Sequence, residues 1–116
     1  MTPLPPTLEI IRQQGRCTAG PGWWPIIDQL LEEILKAEPS AAAMEPASME
    51  IKEKYGELSI SLFYDAIQNP QRINALIHEA EEKSSHTCEE CGKPGIARDV
   101  DGWISTLCNE CFSTRK

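Results

Sequence analysis

Cys88-Glu89-Glu90-Cys91-Gly92 and Cys108-Asn109-Glu110-Cys111 are the two stretches that decide how the C-terminal part of this 116-residue chain folds. Two cysteines with two residues between them form a knuckle, a tight turn that directs both sulfur atoms at one point. Sixteen residues separate the two knuckles, enough for a short hairpin with turns at Pro94-Gly95 and Asp101-Gly102. Four thiolates from two knuckles complete a tetrahedron around Zn²⁺. The spacing therefore predicts one structural zinc ion per chain, with the ligands Cys88, Cys91, Cys108 and Cys111.

Three other uses of these cysteines fit the sequence less well. Disulfides are rare in the reducing cytosol. A redox-active Cys-x-x-Cys normally opens a helix within a βαβ unit, and the sequence shows no such unit. A catalytic zinc usually keeps three protein ligands and an open position, whereas four cysteines close the site. The zinc is therefore expected to stabilise a segment that is too small to fold alone.

Three further residues with reactive or metal-binding side chains stand outside this pattern. Cys17 lacks a local His or Asp partner, so a small buried or half-exposed thiol is expected rather than a nucleophile. His86 lies two residues before Cys88 and is expected to be a solvated linker residue, because four cysteines already suffice. His78 is expected at the surface of a helix or at the edge of the core.

The charge of the chain constrains its partners. The formal net charge is −7 and the pI is about 4.8, which argues against a generic nucleic-acid binder because such proteins need Lys and Arg to displace counterions. The acidity is greatest over residues 22–48, which sum to −4. Nucleic-acid binding through the ribbon remains an alternative, with Lys93 and Arg98 among its few cations.

Hydropathy and the N-terminal residues indicate the compartment. No apolar run approaches the roughly 18 residues that a membrane-spanning helix needs. Met1 to Arg16 lacks the basic and apolar regions of a signal peptide. We therefore expect a cytoplasmic protein with reduced cysteines and no membrane contact.

Residues 22–84 are predicted to form a helix, a β-hairpin and a second helix around one small core. The first helix covers Trp23 to Ala37, with an apolar stripe at Ile26, Ile27, Leu30, Leu31, Ile34 and Leu35. Over Met49 to Tyr64 the apolar period changes to two: Met49, Ile51 and Tyr55 alternate with charged residues, and Gly56 separates two strands. Asn69-Pro70 then starts a helix that runs to about Lys83.

The fold class is therefore α+β, with three segments along the chain. Residues 1–21 are read as an N-terminal tail (Met1 to Pro6) and a short helix (Thr7 to Gln14), and a loop (Arg16 to Gly22) leads into the next segment. Residues 22–84 are the α+β body, in which Ser40 to Ser48 is a linker. Residues 85–116 are the C-terminal four-cysteine zinc ribbon.

Aromatic and acidic residues are the candidates for contacts with a partner. Two of the three tryptophans, Trp23, Trp24 and Trp103, are expected in the core, and an exposed one would be a hot spot for a partner. The first helix presents an acidic face formed by Asp28, Glu32, Glu33 and Glu38. This face is expected to be solvated; the alternative is that it mimics nucleic-acid phosphates in a basic groove of another protein.

Several motifs together resemble a small family of proteins encoded in phages, prophages and bacterial genomes. They are Gly22-Trp23-Trp24-Pro25-Ile26-Ile27-Asp28, Ile51-Lys52-Glu53-Lys54-Tyr55-Gly56-Glu57-Leu58, Cys88-Glu89-Glu90-Cys91-Gly92-Lys93-Pro94-Gly95, Gly102-Trp103 and Thr106-Leu107-Cys108. The resemblance covers about residues 22–111. It implies an α+β body with a zinc ribbon and no assigned activity.

A second resemblance covers residues 88–111 alone. Cys88-Glu89-Glu90-Cys91-Gly92-Lys93-Pro94 with Thr106-Leu107-Cys108-Asn109-Glu110-Cys111 is similar to the zinc finger of the DksA/TraR regulators, which enter the secondary channel of bacterial RNA polymerase. The sequence departs from that family, because the residues before Cys88 do not form a long coiled coil and the spacer is one residue shorter.

The sequence thus favours a non-catalytic binding module over an enzyme. It shows no Gly-rich phosphate loop, no Ser/His/Asp set and no carboxylate pair with a reason for a shifted pKa. The leading hypothesis is a phage- or prophage-associated protein that binds a host or bacterial protein and modulates its complex, for instance a bacterial defence system. Regulation of RNA polymerase is the alternative that the second resemblance implies.

Overall fold

Two small antiparallel hairpins and three helices make up the described part of the chain, so the predicted α+β class is confirmed. The computed structural model describes residues 17–38, 49–62 and 68–114. The elements are a 3-10 turn (Pro21–Trp23), α1 (Trp24–Ala37), β1 (Met49–Lys54), β2 (Glu57–Leu62), α2 (Pro70–Ser84), β3 (Ile96–Val100), β4 (Trp103–Leu107) and α3 (Asn109–Thr114). The predicted tail, the helix from Thr7 to Gln14 and the linker from Ser40 to Ser48 lie outside the described residues.

The apolar faces of α1 and α2 supply most of the main core. On α1 the predicted stripe is buried at Ile27, Leu30, Leu31 and Ile34. On α2 the spacing i, i+3, i+4, i+7 buries Ile73, Leu76, Ile77 and Ala80. Because both helices present one apolar side, they pack against each other and against the first hairpin.

The first hairpin covers the two helices with one of its faces. Its strands pair from Met49↔Leu62 to Lys54↔Glu57, and Met49 and Ile51 are buried. Tyr55 was expected in the same core-facing row, and that expectation is wrong. Tyr55 and Gly56 form a two-residue turn with φ of 53° and 85°, which matches the twist of a hairpin and leaves Tyr55 76% exposed.

Side chains at the two ends of α2 satisfy backbone groups of the helix and of the neighbouring strand. The predicted cap is present, since Asn69 Oδ1 accepts a hydrogen bond from the Arg72 N–H at 3.1 Å. At the other end, Ser84 Oγ accepts from the Leu58 N–H at 2.8 Å and donates to the Glu81 carbonyl. The helix therefore closes the outer edge of β2.

Glu38 corrects the predicted acidic face of α1. It directly follows the last residue of α1 and is only 4% exposed, whereas Asp28 and Glu32 on α1 are exposed. Its carboxylate accepts a hydrogen bond from the Asn69 N–H at 2.6 Å, at the start of α2. The positive end of the α2 dipole stabilises an acid in this position, so Glu38 joins the two helices instead of facing solvent.

The second hairpin carries the C-terminal knuckle and touches the first hairpin. Its strands pair from Ile96↔Leu107 to Val100↔Trp103, with the predicted turn at Asp101-Gly102. The Thr106 hydroxyl donates a hydrogen bond to the Gly56 carbonyl. The two hairpins form separate two-stranded sheets that meet at this contact. Among the residues that the structure describes, no helix combines the length and apolar character needed to cross a membrane.

Candidate metal centre

The first knuckle is a tight turn from Cys88 to Gly92. The Cys88 N–H donates to the Lys93 carbonyl at 2.7 Å, and the Gly92 N–H donates back to the Cys88 carbonyl at 3.0 Å. Gly92 has a φ of 82°, a conformation that residues with a Cβ rarely adopt. The turn therefore needs glycine directly after Cys91 to bring both sulfurs to one side.

The second knuckle joins the end of β4 to the short helix α3. The Phe112 N–H donates to the Cys108 carbonyl at 3.0 Å, and the Cys111 N–H approaches Cys108 Sγ at 3.5 Å. Arg98 on β3 fixes this helix: its Nη2 donates to Asn109 Oδ1 at 2.6 Å, and its guanidinium lies 4.7 Å from the Phe112 ring centroid.

The four predicted ligands come together at one point. The sulfur atoms of Cys88, Cys91, Cys108 and Cys111 all lie within 4.8 Å of one another. Cys91 Sγ and Cys108 Sγ are 3.6 Å apart, close to the ~3.8 Å edge of a tetrahedron with metal–sulfur bonds of ~2.3 Å. The described residues therefore fit a four-coordinate metal ion.

The electrostatics of the cluster differ from one cysteine to the next. Burial raises the pKa of Cys88, but hydrogen bonds from the backbone of Cys108 and Cys91 outweigh burial and lower it to about 6. A hydrogen bond from the Lys93 backbone lowers the pKa of Cys91, but desolvation and the Cys88 and Cys108 side chains outweigh it, so that this pKa is raised on balance. The pKa of Cys111 is raised by the Cys108 sulfur, with desolvation adding to the shift. The Cys88 thiol thus ionises readily, whereas Cys91 and Cys111 give up their protons when a cation binds.

Gly22 and Trp23, which lie directly before α1, hold the backbone of the first knuckle, and we call this pair the seat of the knuckle. The sequence patterns did not predict this role. The Gly22 N–H donates to the Glu89 carbonyl at 2.6 Å, and the Trp23 Nε1–H donates to the Thr87 carbonyl at 2.8 Å. Trp23 itself is fully buried in the main core. The pair of glycines in Gly20-Pro21-Gly22 was the available signal, because closely approaching backbones require residues without a Cβ.

The other singled-out residues lie outside the cluster. Cys17 is half-buried and pairs with Ile51 on the edge of β1, in agreement with the expected thiol. His78 and His86 are exposed, as expected. Trp24 packs partly buried against the main core, so two of the three tryptophans serve the core.

Trp103 is the exposed tryptophan, and it lines a cleft where the two hairpin turns meet. It is 64% exposed, and Tyr55 and Ile104 beside it are also exposed. The cleft has a volume of about 360 Å³ and is lined by Glu53, Lys54, Tyr55, Gly102, Trp103 and Ile104. Comparisons with protein-family models, with curated proteins and with solved structures found no match to this chain.

Proposed function

We propose that the four-cysteine cluster binds zinc and that the metal is structural. Four thiolates leave no open coordination position for a substrate or a water molecule. The seat formed by Gly22 and Trp23 supports a structural role, since it couples the first knuckle to the main core. Zinc binding then supplies folding free energy to the second hairpin and α3, whose own core is small.

The whole chain then acts as a non-catalytic protein-binding module. The observation that supports this function is the exposure of Trp103, next to the Asp101-Gly102 turn, beside Tyr55 in the turn of the first hairpin. Trp and Tyr are among the residues that most often carry the binding energy of protein interfaces. The cleft between them is large enough to take one apolar side chain of a partner.

A protein partner is favoured over nucleic acid because the positively charged side chains that the structure describes in the ribbon, Arg98 and Lys93, already contact other groups of the chain. Arg98 is held by Asn109 and by the Leu107 carbonyl, and it stacks on Phe112. Lys93 lies 3.6 Å from Glu110. Phosphate binding would have to compete with these contacts and with the net charge of −7.

The resemblance to phage and prophage proteins directs the proposal to a host protein. On this proposal the chain acts in the bacterial cytoplasm and modulates a host complex, for instance by inhibiting a defence system. The finger resemblance makes RNA polymerase the alternative target. The described residues before Cys88 form the 15-residue helix α2 packed on a core, not a long coiled coil, which favours the first target class.

The test compares capture of bacterial proteins by three zinc-loaded variants at low salt. The wild type, Trp103→Ala and the matched control His78→Ala, which changes an exposed side chain on α2, are each immobilised. A genuine partner is captured by the wild type and by His78→Ala, and binds Trp103→Ala at least about tenfold more weakly once purified. Equal binding by Trp103→Ala, or no protein above background, overturns the proposal.

A further inference from the structure

The outer edge of a strand presents N–H and C=O groups that need hydrogen-bond partners. Among the residues that the structure describes, three of the four strands have such partners at their outer edge. On β2 the Leu58 N–H donates to Ser84 Oγ at 2.8 Å, and the Ile60 N–H donates to Glu81 Oε2 at 3.0 Å. On β1 the Ile51 carbonyl accepts from the Thr18 N–H at 3.0 Å. On β4 the Thr106 carbonyl accepts from the Glu89 N–H at 2.9 Å.

The outer edge of β3 differs from these three. The turn Asp101-Gly102 makes Val100↔Trp103 the first hydrogen-bonded pair of the hairpin, so Arg98 and Ile96 also bond toward β4. Ala97 and Asp99 therefore direct their backbone groups outward. Within residues 17–38, 49–62 and 68–114, no backbone hydrogen bond reaches the N–H or C=O of either residue. Both residues are exposed, and so is Ile96 beside them, at 61%.

The charged side chains of β3 do not block this edge. Charges on an edge strand usually prevent pairing with another chain. Here Arg98 is turned toward its own hairpin, where it donates to the Leu107 carbonyl at 3.2 Å and to Asn109. Asp99 Oδ1 accepts from the Gly102 N–H at 2.7 Å. Because intramolecular contacts hold both side chains, the outward backbone groups of Ala97 and Asp99 stay accessible.

We infer that the outer edge of β3 accepts an extended segment of a partner protein as a third strand of the second hairpin. This inference deepens the proposed function and rests on it for the role of binding another protein. Main-chain hydrogen bonds to Ala97 and Asp99 give the affinity in this mode of binding, and side chains on the two faces give the specificity.

Charge complementarity identifies the side chains that the segment carries. Asp99 and the neighbouring Asp101 are acidic, in a chain of net charge −7, so the residue opposite Asp99 is basic. Ile96 and Val100 lie on the opposite face of the strand together with Arg98, whose guanidinium is turned toward its own hairpin. The residues opposite Ile96 and Val100 are therefore apolar. The partner segment therefore carries apolar residues on one face and a basic residue on the other.

A second copy of this chain fits the edge poorly. Antiparallel pairing about a two-fold axis sets Arg98 opposite Arg98 or Asp99 opposite Asp99, and directly opposed like charges are destabilising. Pairing centred on Ala97 would set Asp99 opposite Gly95, whose N–H already donates to the His86 carbonyl at 2.9 Å. The partner is therefore a different protein.

The experiment supplies such a segment on a tether. The strand Val-Lys-Val-Lys-Val is appended to the zinc-loaded full chain after Lys116 through a flexible Gly/Ser linker, because a short tether raises the effective concentration to the millimolar range. Exchange of the Ala97 and Asp99 amide hydrogens is followed by NMR. We expect at least tenfold slower exchange of both amides than in the untethered chain. Unchanged exchange, or slow exchange already in the untethered chain, overturns the inference.

Two variants test whether the protection depends on the charge of the segment and on the backbone of β3. Replacing the appended strand by Val-Glu-Val-Glu-Val keeps the pattern and reverses the charge, so protection is expected to fall at least threefold; equal protection contradicts the basic specificity. Ala97→Pro removes one outward donor and leaves the pairs with β4 intact, so protection of Asp99 by the lysine strand is expected to disappear. Because neither variant alters Trp103, a failure here is distinct from a failure of the proposed binding function.

Discussion

Gly22 lies directly against the carbonyl oxygen of Cys88, across 66 positions of the sequence. A Cβ built on Gly22 would be 2.1 Å from that oxygen and 2.6 Å from the Gly92 nitrogen. Both atoms belong to the backbone of the first knuckle, so neither can move without distorting the turn that carries Cys88 and Cys91. The start of α1 and the metal centre are therefore one packed unit.

Gly22→Ala is expected to destabilise the zinc-loaded protein by about 3 kcal/mol, the upper range for overpacking, because the three atoms nearest to the added methyl group are all backbone atoms. Chemical denaturation followed by circular dichroism measures this change, and zinc affinity is expected to fall with it. The control is Gly102→Ala, where a Cβ meets nothing within 4 Å and the φ of 85° alone costs about 1–2 kcal/mol. Equal effects of the two substitutions would show that the seat is unimportant.

Cys88→Ser is expected to abolish zinc binding, whereas Cys17→Ser is expected to retain one zinc ion per chain. Cys88 is a buried member of the sulfur cluster, while Cys17 lies outside it. Native mass spectrometry counts the metal in each variant. In Cys88→Ser the indole N–H resonance of Trp23 is expected to shift as well, since that group donates to the Thr87 carbonyl beside the knuckle. Wild-type zinc affinity in Cys88→Ser would contradict the assignment of the ligands.

Zinc affinity is expected to rise steeply with pH. At pH 7 Cys88 is already largely ionised, because its pKa is about 6. Cys91 and Cys111 are protonated because their pKa values are raised, so binding releases at least two protons. The apparent association constant therefore increases at least about 100-fold from pH 7 to pH 8, and the dependence steepens below pH 6, where Cys88 also becomes protonated. Competition with a chelator of known pH dependence measures the slope. A slope of tenfold per unit or less would refute this protonation scheme.

Residues that are close in sequence predicted the helices, turns and metal ligands. They did not predict contacts between segments that are far apart in the chain. The Asn69 cap, the Gly56 turn and the four-cysteine spacing each depend on residues close in sequence, and each produces the expected local structure. The burial of Glu38 depends on Asn69, 31 positions away, and the role of Gly22 depends on Cys88. Periodicity carries no information about such pairs.

The same reasoning explains what could be predicted of the candidate site. The four ligands follow from spacing, whereas Arg98 has no signal of its own. The register of the second hairpin sets Arg98 opposite Ser105, on the same face of the hairpin as Leu107. From this face its guanidinium reaches Phe112 and so holds α3. The exposure of Trp103 likewise depends on its position at the hairpin turn. Both properties result from strand pairing, which the sequence patterns did not specify in detail.

Ser84→Ala is expected to destabilise the protein by about 1–3 kcal/mol, because it leaves a buried N–H of β2 without its acceptor. Ser84 is fully buried, and its Oγ is the group that receives the Leu58 N–H at 2.8 Å. Ser85→Ala is the matched control, since the Ser85 hydroxyl donates to the Glu82 carbonyl at an exposed position. Its expected effect is below about 0.5 kcal/mol. Thermal and chemical denaturation of the two zinc-loaded variants measure the difference. If both variants have the same free energy of unfolding, the hydrogen bond from β2 to Ser84 contributes little to stability. The difference between the closed edge of β2 and the accessible edge of β3 would then carry little free energy.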